Sequence, residues 1–149
     1  MNSHPPSPTD AAAVGRLLKI IYFVLFASVG VYWVVLETLA PNPEPREPGL
    51  VKNILQGMGA ALGAAVVYLR FSRIPSAIDP IALDPAPGLA RLRMYYIVCF
   101  VLTEVVALYG FVLRFLGGTR EDTAIFFLAA GGLFLLCYPR LPENLTPRR

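Results

Sequence analysis

Charged residues are scarce in this chain. Asp, Glu, Lys and Arg make up 15% of its 149 residues, whereas hydrophobic residues make up 56%. Soluble domains carry about a quarter charged residues. Because the few charges lie between long apolar runs, the composition excludes an ordinary soluble domain and indicates a protein embedded in a membrane. The length predicts a single domain.

Cysteine and histidine are rarer still, with two Cys and one His in the chain. Cys99, Cys137 and the distant His4 are too few ligands for a structural metal site, so neither a metal nor a cofactor is expected. We interpret both cysteines as small apolar residues within helices. The longest linker, residues 72–93, contains no Gly-rich phosphate loop and no HExxH, GxSxG or CxxC motif. These absences argue against an enzyme.

Four apolar runs are long enough to be membrane spans: residues 20–40, 50–69, 94–116 and 123–138. A helix rises 1.5 Å per residue and the hydrocarbon core is about 30 Å thick, so roughly 20 residues cross it. The fourth run is the shortest and has to stand nearly upright or thin the bilayer. Polar faces at helical spacing, which a soluble bundle requires, are missing. The sequence therefore predicts an all-α polytopic membrane protein with four antiparallel helices in two hairpins.

The ends of the chain and its long linkers are rich in proline. Residues 1–15 are predicted to be a disordered lead-in, residues 16–140 the transmembrane domain, and residues 141–149 a short cytoplasmic tail. A first helix starting as early as Ala11 is compatible with Asp10 as its N-cap. The first hairpin loop, APNPEPREPG, is expected to be extended, and the linker 72–93 to be solvated.

The distribution of basic residues predicts the orientation. If the N-terminus is cytoplasmic, nine of the 13 Lys and Arg residues flank the inner ends of the spans. The positive-inside rule then places both termini in the cytoplasm. Since these basic residues are helix flanks and form no single basic face, no nucleic-acid partner is expected. Glu37 falls at the outer interface, where an acid costs little.

Glu104 is the one carboxylate deep inside a predicted span. It lies eleven residues after Arg93, about 16 Å along the helix and close to the midplane. The same count from Arg70 along the second span reaches Gly59, and from Arg140 along the fourth it reaches Ala129. The acid is therefore expected at the depth of the smallest residues of two other helices.

Small residues let helix backbones approach closely, and Gly59 with Gly63 forms a GxxxG pair. We predict that small residues of the second and fourth spans pack around Glu104 and shield it from lipid. The predicted packing residues are Gly57, Gly59, Gly63, Ala129, Gly131 and Gly132.

An ionised side chain at the bilayer centre costs at least ~2.5–3.5 kcal/mol, and burial favours the protonated acid. No polar partner is apparent in the sequence, because Arg114 lies about 15 Å further along the helix and Tyr109 points to another face. Glu104 is therefore either a proton or cation carrier or a neutral group that hydrogen-bonds one helix to another.

The stretch from Glu104 to Gly110, EVVALYG, resembles the carboxylate helix of the c subunit (proteolipid) of rotary ATP synthases. That resemblance implies that Glu104 binds a proton or sodium ion within a homo-oligomeric ring and that Gly59 and Gly63 are its close-packing partners. The chain as a whole resembles small, uncharacterised bacterial four-span proteins that share this third helix and a Tyr–Pro–Arg exit. This second resemblance implies a bacterial inner-membrane location and no particular activity.

Two functional hypotheses follow. In the first, the chain is a non-enzymatic integral membrane protein whose Glu104 handles protons or cations. In the second, it is a structural or assembly protein, with a protonated Glu104 that only hydrogen-bonds. The expected partners are the lipid bilayer and another membrane protein or further copies of the chain.

Overall fold

Helices form all the regular structure that is described. The computed structural model describes residues 8–39, 49–78 and 85–140, and contains no strand within those ranges. The helices are α1 (Pro8–Leu39), α2 (Gly49–Tyr68), α3 (Ile74–Ile78), α4 (Pro85–Phe115) and α5 (Arg120–Leu136), with a π-helical turn, Leu69–Arg73, between α2 and α3. The predicted all-α class is confirmed.

In the part of the chain that the structure describes, three stretches of helix are long and apolar enough to cross a membrane: Ala12–Leu39, Gly49–Ala77 and Pro87–Phe115. With 28, 29 and 29 residues, each is longer than the roughly 20 residues that a bilayer requires. α5 has 17 residues and is about 26 Å long at 1.5 Å per residue. The protein thus carries three helices of the kind found in integral membrane proteins.

α4 is the central helix of the bundle. In its most apolar window 44% of the residues are buried, against 17% in α1 and 6% in α2. α1, α2 and α5 all pack against α4. The outward faces of α1 and α2 carry exposed large apolar side chains, such as Phe23, Val34 and Ile54. Lipid is the environment that such faces require.

Aromatic side chains fill the core where α1, α4 and α5 meet. Phe100 of α4 and Phe134 of α5 are fully buried. The Tyr22 ring of α1 lies edge-on to both, with centroids 5.6 Å and 5.7 Å away. Such pairs add about 0.5–1.5 kcal/mol each beyond the burial of their area. Cys99 and Cys137 are buried beside this cluster as free thiols, in agreement with their interpretation as apolar residues.

Two helices extend into segments that were expected to be irregular. α1 begins at Pro8, inside the predicted lead-in, so Asp10 lies in the first turn and is not the N-cap. Pro is well tolerated in a first helical turn. α4 likewise begins at Pro85, within the predicted linker. Residues 1–7, the loop 40–48, residues 79–84 and the predicted tail 141–149 lie outside the described residues.

The π-helical turn has a local cause. It ends at Arg73, two residues before Pro75, and the backbone N–H of Ile74 donates to the carbonyl oxygen of Leu69, five residues earlier. In a regular α-helix the proline ring would clash with the carbonyl of the residue four positions back, Phe71. The wider turn therefore lets the second helix continue beyond its predicted end at residue 69.

The α4–α5 turn is built from the glycine pair that the sequence places there. Gly117 has φ of 93°, and the backbone N–H of Gly118 donates to the Leu113 carbonyl oxygen at 2.9 Å. This is the Schellman arrangement, in which the left-handed position favours glycine. The Thr119 hydroxyl then accepts from the Asp122 N–H and caps α5. Gly117 and Gly118 therefore end α4.

Ion pairs join the helices at the end of the bundle that we call the Arg120 end. Lys52 of α2 pairs with Asp122 of α5 at 2.8 Å, and Arg120 pairs with Glu37 of α1 at 3.0 Å. The opposite end, the Arg140 end, is held by the Arg70 guanidinium, which donates to the Leu136 carbonyl oxygen at 3.0 Å. That bond satisfies a free carbonyl at the C-terminus of α5.

The Lys52–Asp122 pair makes stability depend on acid. The hydrogen bond from the Lys52 ammonium holds the pKa of the Asp122 carboxyl below its usual range. A lowered folded-state pKa means that the stabilisation is present above the unfolded pKa of about 3.9 and is lost as pH falls through the folded value. We expect Asp122→Asn to cost about 0.5–1 kcal/mol at pH 7 and progressively less as the pH falls below about 4, measured by denaturant unfolding in detergent micelles.

The matched control is Glu121→Gln, because Glu121 lies in the same first turn of α5 but makes no ion pair among the described residues. It removes the same interaction with the helix dipole and should be the milder change. Equal costs for the two variants at pH 7 would contradict a role for Lys52.

Candidate functional site

Glu104 accepts hydrogen bonds from two hydroxyl groups of α1. Ser28 Oγ lies 2.7 Å and Tyr32 Oη 2.9 Å from the same carboxylate oxygen, Oε1. All three side chains are half-buried between α1 and α4. Among the described residues, these are the only hydrogen bonds between side chains of two different helices apart from the ion pairs at the Arg120 end. The expectation that Glu104 has no polar partner is wrong.

The spacing of the α1 residues explains the arrangement. Ser28 and Tyr32 are four residues apart, so they lie one above the other on one face of a helix. Ser28 lies nine residues after Lys19, about 14 Å along α1, and Glu104 lies about 16 Å beyond Arg93. The sequence thus contained a signal for these partners that was not recognised: two hydroxyl residues, Ser28 and Tyr32, at helical spacing and at the level of the acid.

The Ser28 hydroxyl has two acceptors within reach. It lies 2.7 Å from Glu104 Oε1 and 2.7 Å from the Leu25 carbonyl oxygen of its own helix. A hydroxyl has one hydrogen to donate and can accept in turn. When Glu104 is ionised, Ser28 and Tyr32 both donate to it. When Glu104 is protonated, the Ser28 hydroxyl can donate its hydrogen to the Leu25 carbonyl oxygen and accept a hydrogen bond from the carboxyl O–H. The cluster therefore keeps its hydrogen bonds in both protonation states.

The same cluster is a poor cation site. One carboxylate and two hydroxyls supply few oxygen ligands, and the hard cations take six or more. In the described part of the chain, no group of three or more His, Cys, Asp or Glu side chains is positioned to hold a metal ion.

The predicted packing glycines lie on another side of α4. Gly59, Gly63, Ala129 and Gly132 line an apolar groove of about 720 Å³ between α2 and α5, with Val106 of α4 also in its lining. Glu104 does not line this groove. Val106 and Glu104 are two residues apart, about 200° around the helix, so they point to nearly opposite sides.

The individual glycines differ in what they contact. A Cβ on Gly59 would lie 3.0 Å from the Phe126 ring and 4.0 Å from Tyr109, and one on Gly63 would lie 3.8 Å from Leu133. A Cβ on Gly57, Gly131 or Gly132 would meet no atom within 4 Å. Gly59 is thus a true packing residue between helices, but its neighbours are aromatic rings. The structure does not bring the glycines and Glu104 together as predicted.

Gly110 is a close-packing residue that was not among the predicted packing residues. A Cβ there would lie 2.7 Å from Phe126 Cβ and 3.2 Å from the Thr123 carbonyl oxygen. Gly110 is buried, and it lets the backbones of α4 and α5 approach closely. The sequence showed this glycine only within the EVVALYG motif; the Thr123 and Phe126 that face it are on another helix.

Comparisons with known proteins add no family to this description. No protein-family model matches the chain, and no curated protein or solved structure is significantly similar to it.

Proposed function

We propose that this is a four-span protein of the bacterial inner membrane with both termini in the cytoplasm and no enzymatic activity. α5 is the fourth span in this proposal. It runs beside the central α4, and its 17 residues nearly reach across a core of about 30 Å. The Arg140 end, which the sequence enriches in basic residues, is then the cytoplasmic end.

Within that topology we propose that Glu104 binds and releases a proton near the middle of the bilayer. The observation that carries this is the Ser28 hydroxyl, which lies 2.7 Å from both Glu104 and the Leu25 carbonyl oxygen. If Glu104 only had to be accommodated in the bundle, its hydrogen-bond partners would need to suit just one of its protonation states. Here the change of state requires only the rotation of one hydroxyl hydrogen. The resemblance of EVVALYG to the proteolipid helix supports the same role.

The second candidate is a structural role, in which a permanently protonated Glu104 fastens α1 to α4. It is favoured by the position of the cluster, which supplies the hydrogen bonds between those two helices in the interior of the bundle. In this role the acid would keep one protonation state across the physiological range. The two candidates are therefore separated by whether the proton exchanges.

Reaction with dicyclohexylcarbodiimide tests the exchange. This apolar reagent reacts with protonated carboxyls. Glu104 is only half-buried and is therefore accessible to it. In liposomes we expect labelling of Glu104, located by peptide mass spectrometry, to depend on pH. A proton-selective flux measured with an entrapped pH dye should be abolished in Glu104→Gln, which keeps the shape but cannot exchange a proton.

Glu37→Gln is the matched control, because Glu37 is the carboxyl at the Arg120 end of α1 and pairs with Arg120 there. That variant should keep both the labelling of Glu104 and the flux. Labelling that stays constant over the whole pH range, together with unchanged flux in Glu104→Gln, would reject proton exchange and leave the structural role.

A further inference from the structure

A cavity at the Arg140 end combines three positive charges. It has a volume of about 450 Å³ and lies between the start of α1 and the segment after α5. Arg16 and Lys19 of α1 and Arg140 line it, together with Gly15, Tyr138 and Pro139. Its volume is within the range of about 300–1,000 Å³ that is usual for small-ligand sites. This cavity plays no part in the Glu104 cluster.

Among the described residues that line this cavity, none is an acid. The ion pairs of the described residues are both at the Arg120 end. Arg16 and Lys19 are three residues apart, so their side chains lie on the same face of α1. Three cations around a cavity large enough for a ligand attract an anion, and Arg and Lys are the usual ligands of a phosphate.

Exposed apolar side chains follow directly below the cations on α1. Ile20 lies four residues after Arg16 and is 61% exposed, and Phe23 lies four residues after Lys19 and is 58% exposed. Residues four apart on a helix are vertical neighbours. Each cation thus stands above an uncovered apolar side chain that runs toward the membrane interior. A free phosphate ion makes no favourable contact with an apolar surface, whereas the acyl chains of a lipid do.

We propose that this cavity binds the head group of an anionic phospholipid, with the phosphate among Arg16, Lys19 and Arg140 and the acyl chains along Ile20 and Phe23. Basic pockets between transmembrane helices are known to bind such head groups. The lipid would link the start of α1 to the end of α5, which the protein itself joins there through the Tyr22–Tyr138 ring contact, centroids 5.4 Å apart.

Native mass spectrometry of the full chain in detergent tests the proposal by titration with phosphatidylglycerol and, separately, phosphatidylcholine. We expect wild type to retain phosphatidylglycerol preferentially. Each juxtamembrane cation contributes roughly a fivefold factor, so the triple variant Arg16→Gln, Lys19→Gln, Arg140→Gln should bind on the order of 100-fold more weakly. The matched control is Arg73→Gln, Arg91→Gln, Arg93→Gln, which removes the same charge near the same end without touching the cavity lining, and its affinity should stay close to wild type.

Equal losses in the two triple variants would overturn the site, since binding would then follow net charge alone. Equal affinity for phosphatidylcholine would overturn it as well. If millimolar inorganic phosphate released phosphatidylglycerol, the ligand of the cavity would be a free anion and the lipid proposal would be overturned. If the triple variant does not fold, the single variant Lys19→Gln decides: a loss of roughly fivefold supports the site, and unchanged affinity rejects it.

Discussion

A leucine in place of Gly110 should separate α4 from α5 and destabilise the protein by about 3 kcal/mol, the upper part of the range for overpacking a tight core. Even a methyl group at this position would lie 2.7 Å from Phe126 Cβ and 3.2 Å from the Thr123 carbonyl oxygen. Neither atom is the end of a flexible side chain, so the clash can be relieved only by moving a helix. Reversible unfolding in mixed micelles, followed by circular dichroism, measures the loss.

Gly131→Leu is the matched control for Gly110→Leu. Gly131 lies in α5, and a Cβ there would meet no atom within 4 Å. Because leucine also forms helix better than glycine by up to about 1 kcal/mol, this variant should be neutral or slightly stabilised. If Gly110→Leu were as stable as Gly131→Leu, the close approach of α4 and α5 at Gly110 would be refuted.

Glu104→Leu should destabilise the packing of α1 on α4 by about 1–2 kcal/mol, because it leaves the Tyr32 hydroxyl without its partner. Ser28 loses less, since it still donates to the Leu25 carbonyl oxygen. The helices are already in the membrane in the unfolded reference state, so the cost of inserting the acid largely cancels. Glu104→Gln keeps an acceptor for both hydroxyls and should cost clearly less.

A double-mutant cycle isolates the bond. Tyr32→Phe removes one hydroxyl, and combined with Glu104→Leu it should show a coupling energy of about 0.6 kcal/mol, the average for hydrogen bonds between membrane helices, and at most about 1.7 kcal/mol. Unfolding in mixed micelles gives all four corners of the cycle. Additive effects would mean that the Tyr32–Glu104 contact of 2.9 Å contributes nothing to the association of the helices.

These stability measurements also interpret the flux experiment. If Glu104→Gln loses proton flux while it remains nearly as stable as wild type, the loss belongs to proton exchange. If Glu104→Gln loses flux and stability together, the variant is misfolded and the flux result carries no weight. Ser28→Ala then provides an independent test, because it removes the hydroxyl that reaches both Leu25 and Glu104 but leaves the acid in place.

Some features of the fold could be predicted from local sequence. The Gly117–Gly118 pair ends α4 because a left-handed residue is required there. The apolar runs form long helices because a hydrocarbon core has no water to hydrogen-bond their backbone groups. The helix starts were less predictable. Pro8 and Pro85 lie in the predicted lead-in and the predicted linker, yet each begins a helix, since a first turn does not need the N–H that proline lacks.

The sequence by itself determined the class of the protein and the positions of its groups along the helix axes. Hydropathy and the rise per residue are properties of one helix, so counting from Arg93 placed Glu104 and counting from Lys19 would have placed Ser28 beside it. Only the tertiary structure decided which way each group faces. Glu104 meets Ser28 and Tyr32 on α1, while Gly59 and Gly63 of α2 face Phe126 and Leu133 of α5. The physical reason is that hydropathy in a span is nearly uniform around the helix. Rotation about the axis is then set by contacts between helices, which no single helix encodes.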